Sequence, residues 1–345
     1  MTVRACLLRL LFLSPCVELV AAHGEVKRCF QPQLPKGKWS NGNGRHAEWE
    51  LYWERAVNHP ACNAAVEKLS LKTTKWRNSP GQSRMCKAPD FRHSWQPDTC
   101  VFGSPAELAQ ELNGLTVALV GDSLMSQLYT TLSCYTAVEG INLTLASIVM
   151  DVERADLWQE VASYDLVILN FGAHYNLSPA THWRVEPRSY EADLAALFSN
   201  MPVLLRRHNM TSGRIAWRET LPQHFGSVGG LYDPKAADPY YRKPCTAVPD
   251  REVPLSCWRN QLANKRALAT GMRFLPSFDI AMPRFDAHNM HTKTGRDWFD
   301  CTHFCYDNSL TAALLATTAH MLASMREEVN YGGRGRGAPQ SNATS

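Results

Sequence analysis

The run Leu115-Thr-Val-Ala-Leu-Val-Gly-Asp-Ser123 constrains the fold more than any other stretch of this chain. Its apolar residues follow no helical spacing and read as a strand buried on both faces, which is how strands of parallel sheets look. The strand stops at Gly-Asp-Ser and runs directly into an amphipathic segment, Leu124 to Val138. Short apolar runs recur at 145–149, 165–170, 214–217 and 273–280, separated by helical patterns at Tyr190–Asn200, Asn260–Thr270 and Ser309–Val329. In the last of these, Leu310, Ala313, Leu314, Thr317, His320 and Met321 recur at helical spacing. Strands alternating with helices imply an α/β fold whose mainly parallel sheet is covered on both faces.

At 345 residues and 45% hydrophobic, the chain is large enough for a substantial core, and neither a disordered nor a fibrous class fits. The formal net charge of +4 comes without a basic run interleaved with aromatics, which argues against nucleic acid as a partner. Residues 1–22 carry Arg4, an apolar stretch and small residues at Ala21 and Ala22, the pattern of a secretory signal peptide. Arg9 and Glu18 interrupt the stretch, so an uncleaved signal anchor, the one route to a membrane tether, is the weaker reading. Residues 23–110 are rich in Trp, Pro, Asn and Cys and read as a disulfide-tied, loop-rich lobe with one helix around Glu48–Val57. The main domain spans 111–329, and the tail 330–345, without an apolar face, reads as disordered.

Removal of Cys6 and Cys16 with the signal leaves nine of the eleven cysteines. Cys29, Cys62, Cys86, Cys100, Cys245, Cys257, Cys301 and Cys305 are the disulfide candidates; Cys134, in an apolar segment, is the candidate free thiol. Sequons at Asn142, Asn176, Asn209 and Asn342 are glycosylation candidates and fit a secretory route. Cys301, His303 and Cys305 alternate along the chain instead of following Cys-x-x-Cys metal spacing, so no metal site is assigned.

The chemistry centres on Ser123. A serine hydroxyl becomes a nucleophile when an imidazole takes its proton and a carboxylate fixes the imidazole's tautomer, and Asp300-Cys-Thr-His303 supplies both groups. Ser123, His303 and Asp300 are therefore the catalytic candidates. The Ser123 N–H, at a strand-to-helix turn, is an oxyanion-hole candidate. So are Asn170 and Gly172, at the carboxyl edge of a later strand where open α/β sheets bind ligands. Asp122, His174, Arg218 and His224 are candidates for lining the cleft, although His174, with His182, His208 and His288, also reads as a surface or satisfied core group.

Taken in order, these stretches resemble the trichome-birefringence-like polysaccharide O-acetyltransferases, the PC-esterase group of the GDSL/SGNH superfamily. Gly121-Asp-Ser-Leu124 is similar to the family's GDSL block, with Cys29, Gly37-Lys-Trp39, Trp95-Gln-Pro97 and Cys100 as its lead-in. Asn170-Phe-Gly172-Ala-His174 resembles its Asn-Thr-Gly-His block, and Arg218-Glu-Thr220 with Pro222, His224 and Phe225 its Arg-Thr-x-x-Pro-x-His-Phe block. Asp300-Cys-Thr-His-Phe-Cys305 resembles its Asp-Cys-x-His-Trp-Cys signature. The chain departs from the pattern at Gln127, near an Arg-Asn-Gln position, at the extra Ala173, at Phe304 in place of Trp, and at Tyr306-Asp-Asn308 in place of Leu-Pro-Gly.

The resemblance implies a three-layer α/β/α SGNH-type fold and a Ser123/His303/Asp300 triad. It further implies double-displacement acyl transfer to a glycan hydroxyl in the Golgi lumen or outside the cell. The sequence does not identify the acyl donor, for which acetyl-CoA or another acetyl carrier is a candidate, and no bound cofactor is expected. Two rivals stand beside it: a secreted esterase acting on carbohydrate or lipid, and an inactive glycan-binding protein on the same scaffold.

Overall fold

The computed structural model describes residues 37–41, 47–72, 91–98, 100–150, 154, 156–175, 190–232, 243–293 and 296–334. The predicted signal segment, Cys29, Cys86, Asn176, His182 and Asn342 lie outside them. Strands β3 (Thr116–Gly121), β4 (Thr144–Val149), β5 (Leu166–Asn170), β6 (Ile215–Arg218) and β7 (Arg273–Leu275) form one sheet in the order β4-β3-β5-β6-β7. Every pair in it is parallel. The apolar run expected over 273–280 is shorter as a strand: it ends at Leu275 before Pro276, and Phe278–Ala281 forms a helical turn.

Successive strand residues point to opposite faces, and two hydrophobic clusters divide along that alternation. Val117, Leu119 and Ile168 join one cluster, packed with α3 (Pro105–Leu112), α4 (Ser123–Glu139) and α8 (Ser309–Arg334). Ala118, Val120, Val167 and Leu169 join the other, packed with α5 (Leu157–Val161), α6 (Tyr190–Arg207) and α7 (Trp258–Ala269). The architecture is thus three-layered α/β/α, as expected. Helix α6 continues through Pro202, past the expected end at Asn200.

Two regions differ from the sequence reading. The 23–110 segment is less loop-rich than its composition suggests: it holds α1 (Ala47–Ala56), α2 (Pro60–Lys72) and an antiparallel ribbon of β1 (Gly37–Asn41) with β2 (His93–Pro97). Trp49 and Trp53 of α1 bury themselves in the main core, and Trp53 Nε1 donates to Tyr306 O at 2.6 Å. Truncating a tryptophan so placed costs about 3–5 kcal/mol. Helix α8 reaches Arg334, so 330–334 are helical instead of tail. It is also buried nearly all round from Leu310 to Met325, because α1, α3 and the sheet enclose it.

The disulfides also correct the sequence reading. Cys134 is not free: it pairs with Cys62 and ties α4 to α2, while among the described residues Cys257 carries the free thiol. Cys245 pairs with Cys301, and Cys100 and Cys305 are disulfide-bonded as well. Among the described residues no helix is long and apolar enough to cross a membrane. The sequon residues Asn142 and Asn209 are exposed.

Candidate active site

The strand order places the topological switch point between β3 and β5, since β4, which follows β3, lies on one side of it and β5, which follows β4, on the other. Gly121 ends β3 there. A Cβ on it would lie 2.0 Å from Asn170 O and 2.3 Å from Met125 Cγ, so only glycine lets the ends of β3 and β5 approach this closely. Asp122 then caps α4, its Oδ1 accepting from Leu124 N at 3.0 Å. Ser123 opens the helix, where its own N–H has no intrahelical acceptor.

The partners arrive on β9 (Arg296–Phe304), which pairs antiparallel with β8 (His288–Lys293). Asp300 Oδ1 accepts from the backbone N–H groups of Thr302 and His303, both at 3.1 Å, and so holds the Asp-x-x-His turn in shape. Its Oδ2 lies 2.7 Å from His303 Nδ1, and His303 Nε2 lies 2.7 Å from Ser123 Oγ. Burial pushes the Asp300 carboxyl upward, but the His303 charge and these hydrogen bonds outweigh it and hold the group well below the usual carboxylate range. Asp300 is therefore ionised at neutral pH and accepts a hydrogen bond from His303 Nδ1–H, leaving Nε2 to accept from Ser123. The three residues named from sequence thus stand in hydrogen-bonded relay.

Two devices hold this strand against α4. Gln127, one turn beyond Ser123, donates from Nε2 to Phe304 O at 2.6 Å and accepts from Phe304 N at 3.4 Å. The Cys245–Cys301 disulfide fixes the chain between Asp300 and His303, and His224 N donates to Cys301 O at 2.9 Å. The Gln127 role was not assigned from sequence, although its position, within the helix after the GDSL block, carried the signal.

The remaining candidates take other roles. Asn170 is fully buried, and its Nδ2 donates to Arg218 O at 2.9 Å and Thr220 Oγ1 at 3.0 Å; it braces β5 to β6 and is not available to an oxyanion. Gly172 N and the neighbouring Ala173 N donate to Asp122 Oδ2 at 3.0 and 2.9 Å, so the Gly172 amide is also committed. Asp122 is therefore a staple between the β3–α4 turn and the loop after β5. His224 is fully buried and lines no cleft, whereas Arg218, itself 3% exposed, lines a small cavity together with Leu124, Gln127, Leu221 and Phe304. Arg218 Nη1 donates to Leu124 O at 3.3 Å, and burial, partly offset by Asp122, brings its pKa down to about 10, which leaves it cationic at neutral pH. His224 meets His288 at 2.6 Å and Met282 O at 2.9 Å, and His288 reaches His303 O at 2.9 Å, a core bridge beneath the relay. His174 does reach the site: its Nε2 lies 3.3 Å from Ser123 Oγ. Among the described residues no cluster of three metal-ligating side chains occurs, and Cys301 and Cys305 are in disulfides.

No protein-family model matches the chain, and no curated protein matches it by sequence. Among solved structures, a mutant of an acetyl-xylooligosaccharide esterase from Geobacillus Stearmophilus aligns over 61% of this chain and 94% of its own, with a TM-score of 0.37 and 11% identity. The periplasmic domain of a lipopolysaccharide acetyltransferase from Salmonella ser. Paratyphi A aligns over 65% of this chain and 84% of its own, with a TM-score of 0.34 and 10% identity.

Proposed function

We propose that this chain is an O-acyltransferase that carries an acyl group, acetyl in the first instance, on Ser123 and delivers it to a glycan hydroxyl. The observation that supports it is the Asp300–His303–Ser123 relay with both links at 2.7 Å. His303 Nε2 takes the Ser123 proton as Oγ attacks the acyl carbonyl of an activated ester or thioester donor, and returns it to the leaving group as the tetrahedral intermediate collapses. In the second half, the acceptor hydroxyl gives its proton to His303, attacks the acyl-serine and releases Ser123. The choice of a glycan acceptor, and membership of the trichome-birefringence-like group of the GDSL/SGNH superfamily, rest on the sequence blocks around Ser123, Asn170, Arg218 and Asp300. A secretory location, in the Golgi lumen or outside the cell, is supported by the disulfides, which persist in oxidising compartments.

Hydrolysis is the second reading, and one observation favours it. The side chains of His303 and Asp300 retain 23% and 27% exposure, so water has access to the relay when no acceptor covers it. An activated acetate ester offered with and without an oligosaccharide separates the two. Acetylated sugar supports transfer; acetate release at the same rate with or without the sugar, and no acetylated sugar, contradicts it and leaves an esterase.

A further inference from the structure

Two imidazoles converge on the Ser123 hydroxyl. Its single O–H donates to His303 Nε2, whose ring already donates its Nδ1–H to Asp300. The contact from His174 Nε2 to Oγ at 3.3 Å can then be a hydrogen bond only if His174 donates, which assigns it the Nε2–H form. A neutral imidazole N–H directed at the attacking oxygen is also near the oxygen that becomes negative when a tetrahedral centre forms on Oγ.

The loop that carries His174 is built to hold it there. Asp122 Oδ2 takes Gly172 N and Ala173 N, Tyr175 N donates to Gly172 O at 3.0 Å, and Arg259 Nε donates to Tyr175 O at 3.1 Å. Ala173 is buried against Leu124, Leu221 and Phe304. A Cβ at Gly172 would lie 2.7 Å from Thr220 Oγ1, so the approach of this loop to β6 depends on glycine. The same bonds remove the amides of Gly172 and Ala173, and the buried Asn170 side chain, from the donors that a developing oxyanion could use. Of the donors named from sequence Ser123 N–H remains, one where two are usual.

We propose that His174 is the second oxyanion donor, a catalytic residue whose Nε2–H, with Ser123 N–H, holds the negative oxygen of the tetrahedral intermediate. This rests on the acyl-serine reading above. As Oγ bonds to the acyl carbon, its proton passes to His303 and the carbonyl electron pair moves onto oxygen, where the two N–H groups stabilise it. On collapse the carbonyl re-forms, the donor's leaving atom departs with the proton from His303, and His174 ends as it began.

The test is the single-turnover acylation of the purified full chain by an activated acetate ester, with the acetylated peptide located by mass spectrometry. His174→Ala is expected to acylate Ser123 about 100-fold more slowly, the usual loss for one oxyanion donor. The midpoint of its acid limb should stay in place, because His303 remains the base. His174→Gln, which restores an N–H, should recover at least about tenfold of that, a rescue that a merely structural role would not give. Acylation of His174→Ala at the wild-type rate, or no rescue by glutamine, overturns the assignment while wild-type acylation of Ser123 leaves the acyl-serine reading intact. Wild-type protein that never carries acetyl on Ser123 overturns both.

Discussion

Asp122→Asn isolates the staple beneath the active site. The carboxylate accepts three backbone N–H bonds, Leu124 N on one oxygen and Gly172 N and Ala173 N on the other. An amide has one acceptor oxygen, so whichever way it turns, its NH2 group meets at least one N–H. If it keeps the two loop bonds it loses the helix cap, about 1 kcal/mol, and the other two fall from charge-assisted to neutral strength, about 1 kcal/mol each. The expected loss is about 3 kcal/mol. With an unfolding entropy of about 2 cal/mol/K per residue, a chain of this size should lose about 4 °C in melting temperature. The loop would also drift from Ser123, and a displacement of about 1 Å at the reacting groups can cost roughly 100-fold in rate. Thermal unfolding followed by circular dichroism and burst kinetics with an activated acetate ester read the two effects. A variant that melts within about 1 °C of wild type and acylates at the wild-type rate would refute the staple.

Other predictions follow from buried groups. Glu50 is 3% exposed, its Oε2 has no partner, and burial pushes its pKa up to about 7. Between the ordinary carboxylate value and about 7 the folded state holds one proton more than the unfolded, so stability falls as pH rises through that window. Glu50→Gln should therefore gain about 3 kcal/mol on wild type between pH 5 and pH 8 in urea unfolding, and no gain would count against the buried carboxylate. The Cys257 thiol, pushed up to about 11 by burial and then by Glu219 and Asp279, should react with iodoacetamide at pH 8 far more slowly than a free cysteine; alkylation at the free-cysteine rate would contradict it. Gly121→Ala forces a Cβ into Asn170 O, so it should yield insoluble protein or lose acylation, and a soluble, fully active variant would show that β3 and β5 need not approach so closely.

The strand, turn and helix around Ser123 were legible because local chemistry dictates them: a run buried on both faces, a glycine at a close approach and a capping aspartate. Asp300 and His303 were legible for a similar reason, since three-residue spacing lets one carboxylate shape its own turn. His174 was named only as a cleft candidate, and neither its contact with Ser123 nor the staple was legible, because their partners lie about fifty residues apart in sequence and meet only through the pairing of β3 with β5. His224 was misplaced for the converse reason: an imidazole beyond a strand end suggests a cleft, yet here it is fully buried against His288 and Phe304. The first lobe's Trp and Cys content suggested loops, whereas Trp49 and Trp53 were marking a helix face that completes the main core.

The central claim is that Ser123 carries the acyl group. Intact-mass and peptide mass spectrometry of the protein quenched during turnover of an activated acetate ester tests it most directly. The account predicts one acetyl group on the peptide containing Ser123, lost in Ser123→Ala and strongly reduced in His303→Ala. An unlabelled Ser123 beside continuing turnover, or turnover that survives Ser123→Ala, would contradict it.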